Sequence, residues 1–551
     1  MVRIVSAFCI ALATLLLVPG APQVASAAAA VKVADCYDCH DTIERLHAKN
    51  KHEKVLCDAC HEGIAQHLAD EKVRPATKLG WEVCGGCHKA QYESFLEMSY
   101  HRPARDEKSQ LSGRSPNPFW DKLMLPHGFT KEHNLTRSHS WMVVDQFVVD
   151  RAFGGRFQPK SGWKYVTEKT GKTTWEYLVD THSETNEQKA WLPQTAAAAN
   201  PNCMQCKSQD NILGWPYLGD PAAKGTTFTR ASNVVDVART INYALNCFIC
   251  HDPHAAKPRI VRDGLIQALT RPEADTLWHK DEKRTKIEVI DMGLRGFPRK
   301  IALLEKHDSR LQCGQCHVEY NCNPGTDLKT GQPVKMDDPR TNHFPYKDVL
   351  GLYDHYVNQI AFGDFKHGLT GGMLWKAQHP EAETFYNSKH AKAGVSCSDC
   401  HTPKRKGADG KEYTSHFAAS PRLQLKETCL TCHKEFTEET ARYQIDSVKA
   451  YTRGRLRKAE FWLSALIDKI VEGRKAKLPD EVIKQAQDQH LRAHILWEYW
   501  TAENSDGYHN PELARESLAK SMDESQKGIK LINDAINPPP PAPAAVPGAA
   551  G

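Results

Sequence analysis

The C-terminal part of the chain has the most regular pattern of hydrophobic and polar positions. After about Glu438, apolar residues recur every three or four positions, which is the spacing of one face of a helix: Ile445, Val448, Phe461, Leu463, Leu466, Ile467, Ile470 and Val471. Residues 480–503, after Pro479, and residues 512–534 repeat this pattern. The pattern predicts three long helices.

A different pattern marks the N-terminus. Arg3 is followed by an apolar run over residues 4–18 and by the small residues Ala25-Ser26-Ala27. The run is shorter than the roughly 20 residues that span a bilayer, which favours a cleaved signal peptide over an uncleaved anchor. We therefore interpret residues 1–27 as a signal peptide and, since no later segment is long and apolar enough to span a membrane, expect an exported, soluble, periplasmic protein.

Between these ends the sequence is poor in apolar residues. Hydrophobic residues make up 40% of the 551 residues, and the mean hydropathy of −0.57 is low for a large conventional core. The net charge of +5 is small for this length, and no basic block indicates nucleic acid binding. The interior therefore needs another source of apolar bulk.

The spacing of the 18 cysteines supplies one. Seven stretches have the pattern C-x-x-C-H, and an eighth has C-x-x-C-K. In C-x-x-C-H the two thiols attach a c-type haem and the histidine binds its iron; a thioredoxin-like pair or half of a zinc site would explain one such motif but not seven. The cysteine pairs are Cys36 and Cys39, Cys57 and Cys60, Cys84 and Cys87, Cys203 and Cys206, Cys247 and Cys250, Cys313 and Cys316, Cys397 and Cys400, and Cys429 and Cys432, followed by His40, His61, His88, Lys207, His251, His317, His401 and His433. We predict eight haems c.

The motifs divide the chain. Residues 28–125 carry three of them and are predicted to form an electron-transfer module, and residues 126–435 carry the other five. Residues 436–536 form the long-helix region, which we expect to mediate oligomerisation. The Pro- and Ala-rich residues 537–551 are predicted to be disordered. The fold class expected is mainly α, with little β structure and a core filled by haem.

Histidines beyond the motifs are candidate distal ligands. A haem with histidine on both faces transfers electrons but binds no substrate at its iron. The sequence has 27 histidines, enough for every histidine-ligated haem to have a second one, although many isolated histidines are ordinary surface or core residues. His254 and His390 are the better candidates because nearby cysteine anchors hold them close to a haem.

Lys207 marks a different haem. A lysine binds iron only as the neutral amine, a form that burial and the cationic metal both favour. It donates electrons without competing for back-donation, so the opposite face of the iron is left electron-rich. The alternative is a degenerate motif that holds haem poorly or not at all.

At this point the chain resembles the ammonia-forming cytochrome c nitrite reductases, whose active-site haem is attached through C-x-x-C-K. Eight motifs with the lysine in the fourth resemble the octahaem branch. The stretch "CGQCHVEYNCNPG" implies Tyr320 as a catalytic tyrosine, and "KAQHPEAETF" implies His379 as a catalytic histidine. The stretch "RSHSWMVVDQFVVDR" implies His139 as a distal ligand and Arg151 as the catalytic arginine.

The resemblance also implies further ligands. A calcium site is expected from the side chains of Glu319 and Gln378 and the carbonyls of Tyr320 and Lys376, and oxygen ligands suit calcium. Besides His139, the distal ligands implied by the resemblance are His390, His416 and His509. His254 is a further expected distal ligand, and for the first three haems we select His52 and His101, with His47 and His67 as alternatives.

Cys322 remains outside the motifs. In Tyr320-Asn321-Cys322 it matches an arrangement of octahaem relatives in which the tyrosine and cysteine side chains are covalently joined. Without the resemblance, Cys322 is interpreted as an inert buried thiol.

The resemblance implies six-electron reduction of nitrite to ammonium, and of hydroxylamine or sulfite as further substrates. Arg151 would hold the anion, His379 would supply protons, and Tyr320 would assist. Two alternatives stay open: a hydroxylamine-oxidising enzyme, which Lys207 argues against, and a pure electron conduit. A periplasmic or membrane-associated electron donor is expected, and the sequence does not identify it.

Overall fold

The protein is described here by a computed structural model, which covers residues 31–97, 120–125, 138–142, 201–214, 229–232, 237, 241, 243–272, 276–292, 299–322 and 324–538. The predicted signal peptide, His101, Arg151 and all but the first two residues of the predicted disordered tail lie outside these ranges.

Helices predominate in the described ranges. They are α1 (Val33–Tyr37), α2 (Asp41–His47), α3 (Ile64–Ala69), α4 (Glu82–Gly85), α5 (Lys89–Phe95), α6 (Trp120–Leu123), α7 (Asn202–Gln205), α8 (Gln209–Gly214), α9 (Cys247–Cys250), α10 (Asp263–Thr270), α11 (Leu277–Lys280), α12 (Ser309–Cys313), α13 (Leu352–Asp354), α14 (Glu381–Tyr386), α15 (Lys389–Lys392), α16 (Cys397–His401), α17 (Cys429–Cys432), α18 (Glu438–Lys475), α19 (Asp480–Ala502) and α20 (Pro511–Ile536). Most are one or two turns long, because each haem motif interrupts the chain.

The strands are short. They are β1 (His61–Glu62), β2 (Ala76–Thr77), β3 (His251–Asp252), β4 (Lys257–Ile260), β5 (Ile287–Asp291), β6 (Lys300–Leu304), β7 (Thr326–Asp327), β8 (Phe362–Gly363), β9 (Phe365–Lys366), β10 (Met373–Leu374), β11 (Lys404–Lys406) and β12 (Glu412–Thr414). The largest sheet is antiparallel with strand order β3-β4-β6-β5. The inner strand β6 is buried from Ile301 to Leu304. Its pairing with β4 holds in place the segment after β4, which carries Arg262.

The three long helices begin and end where the sequence predicts. The Thr437 side chain accepts a hydrogen bond from the backbone of Thr440 at 3.1 Å and caps α18. Pro479 separates α18 from α19, and Pro511 occupies the first turn of α20, where its missing N–H costs nothing. The predictions over 438–471, 480–503 and 512–534 are therefore confirmed.

Packing between these helices is close. Gly528 of α20 faces Leu466 of α18 so closely that an added Cβ would lie 2.6 Å from the Leu466 side chain. The Trp500 indole donates to Ser517 Oγ at 2.5 Å, and Ser521 Oγ donates to the Ala493 carbonyl at 2.7 Å. Small residues at these crossings let the helices approach closely, and the buried polar groups of Trp500, Ser517 and Ser521 find partners between helices.

The described residues divide into two compact units. One consists of residues 31–39 and 55–78 and contains the antiparallel pair of β1 and β2. The other consists of residues 40–54 and those after 78, and it contains the sheet and the long helices. In the part of the chain that the structure describes, no helix combines the length and apolar character needed to cross a membrane.

This division differs from the single module predicted for residues 28–125. Cys39 and Cys60 belong to the first unit, whereas Cys87 belongs to the second. The reason is the packing of the third motif, because the Trp81 indole donates to the Leu245 carbonyl at 3.1 Å and the Cys84 thiol hydrogen-bonds to Cys247. Contacts with residues distant in sequence, rather than the spacing of the motifs, therefore decide where the third motif belongs.

Leu463 offers a test of the bundle core. It is 0% exposed, whereas Phe461 on the same helix is 55% exposed. We expect Leu463→Ala to lower the free energy of unfolding by about 2–5 kcal/mol, because it removes buried methyl groups and leaves a cavity. Denaturant unfolding followed by far-UV circular dichroism measures this. Lys458→Ala, at an exposed position on the same helix, is the control and should change stability by about 0.5 kcal/mol or less; equal effects would contradict the packing described.

Candidate active site

The lysine motif lies in the interior. Cys203, Cys206 and Lys207 are each less than 9% exposed. The side chain of Asn202, at the start of α7, donates to the Thr341 carbonyl at 2.6 Å and holds the motif against the 339–342 turn. The lysine that stands in the place of the motif histidine is therefore enclosed by the polypeptide.

The first three motifs are more open to solvent. The second cysteine of each differs from the buried Cys206, since Cys39 and Cys87 are exposed and Cys60 is half-buried. Burial and a hydrogen bond to Cys57 raise the pKa of the Cys36 thiol to about 12. The polypeptide around these motifs has few apolar side chains and does not cover the thiols by itself. Their role as haem anchors therefore stays a prediction, in which the porphyrin would supply the missing apolar cover.

The last two motifs are intermediate between these cases. Cys397, Cys400 and Cys429 are half-buried, and Cys432 is exposed. Burial raises the pKa of the Cys400 thiol to about 12. The polypeptide therefore buries the cysteines of the lysine motif more completely than those of the first three and the last two motifs.

Tyr320 lies beside the lysine motif. Its ring is 2% exposed and stacks on Phe344 with the ring centroids 5.5 Å apart. In the chain without haem, the pKa of the Cys206 thiol is lowered to about 5 despite burial. The largest cause is a hydrogen bond with the Cys316 thiol, followed by the charges of Arg262 and Lys207 and a hydrogen bond to Tyr320. Tyr320 is therefore within hydrogen-bonding reach of the cysteine that precedes Lys207.

Arg262 packs against both rings of this stack. Its guanidinium carbon is 5.0 Å from the Tyr320 ring centroid and 5.4 Å from the Phe344 ring centroid, and its Nη2 donates to Asn342 Oδ1 at 3.0 Å. The side chain is 0% exposed, yet Nε and Nη1 have no hydrogen-bond partner among the described residues. A buried guanidinium needs an anionic partner, and a haem carboxylate would satisfy it.

His379 lies at the edge of this interior, where it is half-buried. Its Nδ1 is 3.3 Å from Asn504 Nδ2, and its ring centroid is 6.5 Å from that of His317. The pKa of His379 is lowered to about 3, chiefly by loss of solvation and also by the charges of Lys207 and His317, while Glu381 opposes the shift. The imidazole is therefore neutral near pH 7, and the Lys207 charge is near enough to act on it.

The predicted calcium ligands are also brought together. Glu319 Oε2 accepts a hydrogen bond from the backbone of Gln378 at 2.7 Å, and Glu319 is 0% exposed. Burial raises the pKa of Glu319 well above its ordinary value, and repulsion from Glu383 and Glu498 raises it further. Lys376 pairs with Glu498 at 2.9 Å. Excess buried carboxylate of this kind fits a divalent cation.

Cys322 lies next to this group. It is 2% exposed, and the Gln378 side-chain amide donates to its sulfur at 3.0 Å. Burial raises the pKa of the Cys322 thiol well above its ordinary value. Cys322, Tyr320 and Cys206 belong to one buried cluster, but the bond between Cys322 and Tyr320 stays a prediction.

Five histidine pairs have the spacing of ligands on opposite faces of one metal. Metal–imidazole bonds are about 2 Å long, so the two ring centroids should lie about 6 Å apart. The centroid distances are 6.1 to 6.3 Å for the pairs His52/His88, His139/His317, His251/His416, His390/His433 and His401/His509. Each pair joins a motif histidine to a predicted distal ligand, and the gaps therefore fit haem iron.

The other predicted histidines are less well defined. His254 Nδ1 lies 4.0 Å from Asp252 Oδ1, and its carbonyl accepts a hydrogen bond from Asn50. Of the alternatives, His47 is buried in α2, and His67 Nδ1 is 2.7 Å from the Val73 carbonyl. These assignments stay predictions.

Sequence reasoning missed Arg262, Phe344 and Glu498. Arg262 and Phe344 pack against Tyr320, and Glu498 of α19 accepts from the Ala377 backbone at 2.5 Å as well as pairing with Lys376. Arg262 is a charged residue inside the apolar segment "RIVRDGLI", and this is the signal that could have indicated a buried partner.

Comparison with known proteins places this site in a family. The model of the family described as cytochrome c552 matches residues 160–538, more than half of the chain. The chain belongs to the cytochrome c552 family. The match begins before the lysine motif and ends with α20, so it includes the described site residues from Asn202 to His509.

The family match has a boundary that matters for the haem count. It includes the five motifs from Cys203 onward, whereas the motifs that contain Cys39, Cys60 and Cys87 precede residue 160. A multihaem cytochrome c follows from the family. The full number of eight haems stays a prediction from cysteine spacing.

Relatives of this cytochrome c552 chain agree. It is 26% identical to "Cytochrome c nitrite reductase subunit NrfA" of Nitratidesulfovibrio vulgaris, over 77% of this chain and 70% of that protein. It is 27% identical to "Cytochrome c-552" of Bacteroides fragilis, over 83% of this chain and 77% of that protein. The resemblance to cytochrome c nitrite reductases is confirmed.

A solved structure confirms the fold class. The catalytic subunit (NrfA) of the cytochrome c nitrite reductase from Desulfovibrio desulfuricans matches with a TM-score of 0.56 and 22% identity. The match covers 83% of this chain and 86% of that one. The mainly α fold predicted from the sequence is therefore confirmed.

The Lys376–Glu498 pair yields a stability prediction. Lys376→Met should lower the free energy of unfolding by about 3–5 kcal/mol, because it leaves the buried Glu498 charge without its partner. The control is Lys389→Met, which removes an ion pair to Glu512 whose side chains are 82% and 48% exposed, and it should cost about 0–1 kcal/mol. Denaturant unfolding of both variants measures the difference, and similar costs would contradict the buried pairing.

Proposed function

We propose that this chain is an exported octahaem nitrite reductase that reduces nitrite to ammonium at a haem ligated by Lys207. The observation that carries the proposal is the burial of Lys207 and Tyr320 together, with the half-buried His379 near enough for the Lys207 charge to lower its pKa. Membership of the cytochrome c552 family supports it.

The reaction sets the requirements. Nitrite takes up six electrons and eight protons to give ammonium and two waters. Bound haem supplies electron storage and, at the lysine-ligated iron, an open position for a substrate.

The chain supplies the protons and the positioning. His379 Nδ1 is oriented by Asn504, and its neutral ring is suited to hydrogen-bond to a substrate oxygen and pass on a proton. The Tyr320 hydroxyl, whose pKa burial raises well above its ordinary value, stays protonated and is a second donor. Arg262 above the Tyr320 ring adds a fixed positive charge to a region that binds anions. Arg151, implied by the resemblance, would hold nitrite.

Contacts between thiols of different motifs support rapid electron supply. In the chain without haem, the thiols of Cys206 and Cys316, of Cys313 and Cys397, and of Cys84 and Cys247 lie near enough for each pair to alter its partner's pKa. Anchors that touch hold their prosthetic groups close together. The 203–207 motif is thereby linked to the 313–317 motif and, through it, to the 397–401 motif.

Calcium and an oligomer complete the proposal. Glu319, Gln378 and the carbonyls of Tyr320 and Lys376 would hold the cation, which offsets the excess of carboxylate next to Tyr320. Exposed aromatic residues on α18 support association through the long helices, since Tyr443, Tyr451 and Phe461 are 67%, 52% and 55% exposed. Two calcium sites are mentioned for the Desulfovibrio desulfuricans protein.

Ammonium production tests the activity. With reduced viologen as electron donor, the purified protein should convert nitrite to ammonium in a one-to-one ratio. Lys207→His should retain its haem but turn over more slowly, because a histidine changes the electron donation to the iron. Lys411→His, at a lysine whose side chain is 86% exposed, is the control and should match the wild type.

The outcomes separate the alternatives. A high-spin haem signal with nitrite turnover supports the enzyme. If every iron is six-coordinate and no nitrite is reduced, the chain is an electron conduit. If hydroxylamine is oxidised but nitrite is not reduced, the enzyme runs in the other direction.

Metal analysis tests the calcium site. Glu319→Gln keeps the side-chain shape but removes the charge, so we expect bound calcium to fall after exhaustive dialysis. Glu305→Gln, at an exposed position, serves as the control and should retain it. Equal calcium content in both variants would rule out Glu319 as a ligand.

A further inference from the structure

Two of the proposed haem ligands contact buried carboxylates through the ring nitrogen that faces away from the iron. His317 Nδ1 lies 3.4 Å from Glu381 Oε2, and His509 Nδ1 lies 2.7 Å from Glu503 Oε1. Glu381 is 7% exposed and Glu503 is 2% exposed. His317 belongs to the 313–317 motif, and His509 faces His401 of the 397–401 motif.

Glu381 is held in place from both sides. It is the first residue of α14, and the next residue, Ala382, donates its backbone N–H to the His317 carbonyl at 3.0 Å. Glu381 Oε1 accepts from the backbone of Asn504 at 3.0 Å and from its side chain at 2.5 Å. Oε2 has no hydrogen-bond partner within bonding geometry among the described residues, and His317 is the group it faces.

Glu503 is fixed by a turn. Its Oε2 accepts from Ser505 Oγ at 2.7 Å, from the Ser505 backbone at 3.1 Å and from the Gly507 backbone at 3.2 Å. Gly507 has a φ of +82°, and a Cβ there would lie 2.5 Å from Thr452. The turn therefore requires glycine, and it leaves Glu503 Oε1 for His509.

Other proposed ligands have weaker acceptors. His52, His401 and His416 present Nδ1 to backbone carbonyls at 2.7, 3.0 and 2.9 Å. His433 Nδ1 lies 3.5 Å from Glu435, but the Glu435 side chain is 67% exposed, so water screens the carboxylate. Among the five histidine pairs described above, a buried carboxylate within 3.5 Å of Nδ1 is thus found on the 313–317 and 397–401 motifs.

The partner of a ligating histidine tunes the metal. A buried carboxylate draws the Nδ1 proton toward itself, which makes the ring a stronger electron donor to the iron than a carbonyl partner does. Stronger donation, together with the nearby negative charge, stabilises the oxidised metal. The reduction potential therefore falls.

We propose that Glu381 and Glu503 are positioning residues that give the haems of the 313–317 and 397–401 motifs lower reduction potentials than haems whose histidines bond to carbonyls. The inference rests on the proposed function for the presence of haem at these motifs. The Cys206–Cys316 and Cys313–Cys397 contacts make these the haem sites that lead to the lysine motif. Electrons would therefore reach the active site from strongly reducing neighbours.

Potentiometric titration of the holoprotein, followed by electron paramagnetic resonance and visible absorption, tests the inference. We expect Glu381→Gln and Glu503→Gln each to shift one of the most negative low-spin signals to a higher potential and to change its g values. Glu435→Gln is the matched control and should leave all potentials where they are. An unchanged titration for both buried variants, with the full haem content retained, would overturn the proposal.

Glu381→Asp separates the presence of the charge from its close approach to His317. The shorter side chain keeps the charge but withdraws the carboxylate from His317 Nδ1. An upward shift supports the close contact with Nδ1 as the cause, and wild-type potentials in this variant would overturn that cause.

The haem count and the wild-type nitrite assay keep the two proposals apart. If the haem content is complete and the potentials shift in the variants, but the wild type reduces no nitrite, the proposed activity is refuted and the tuning stands. Nitrite reduction with unshifted potentials would refute the tuning alone.

Discussion

The candidate site depends on a set of hydrogen bonds that ties the 317–322 segment to the 376–383 segment. The Ala382 backbone donates to the His317 carbonyl at 3.0 Å, the Gln378 backbone to Glu319 at 2.7 Å, and the Glu319 backbone to Glu383 at 3.0 Å. Tyr320 and His379 are far apart in sequence, and these bonds hold them in one pocket. Because the bonds are buried, the loss of any of them leaves an unsatisfied group, so the pocket is held as a unit.

The long helices support this arrangement from outside. Glu498 of α19 pairs with Lys376, and Asn504, just after α19, bonds to Glu381 and approaches His379. The positions of the proposed catalytic residues and ligands are thus anchored to rigid elements rather than to loops alone. The long helices, which we predict to mediate oligomerisation, therefore also position residues of the candidate active site.

Much of this organisation could be predicted from local patterns. The three long helices followed from hydrophobic spacing and from Pro479 and Pro511, and the haem motifs from cysteine spacing. The resemblance implies His139, His416 and His509 as distal ligands, the nearby cysteine anchors also indicate His390, and His52 is a neighbour of the first motifs. The structure sets the ring of each opposite a motif histidine.

The rest could not be predicted because it depends on pairings distant in sequence. Arg262 reads as an ordinary charged residue until the fold puts it above Tyr320. Glu381 and Glu503 lie beside recognisable motifs, but only tertiary contacts show which histidine each faces. The four-stranded sheet around β6 was missed as well, since its strands are only two to five residues long.

The crowding of Glu319, Glu383 and Glu498 around Lys376 also bears on how the molecule matures. Burial raises the pKa of Glu319 and Glu383 well above the ordinary value, and that of Glu498 to about 7. Folding the chain around this many crowded carboxylates has a high cost in free energy. We therefore expect biogenesis to be ordered in time, with the cation and the prosthetic groups entering an open chain and the interior sealing last.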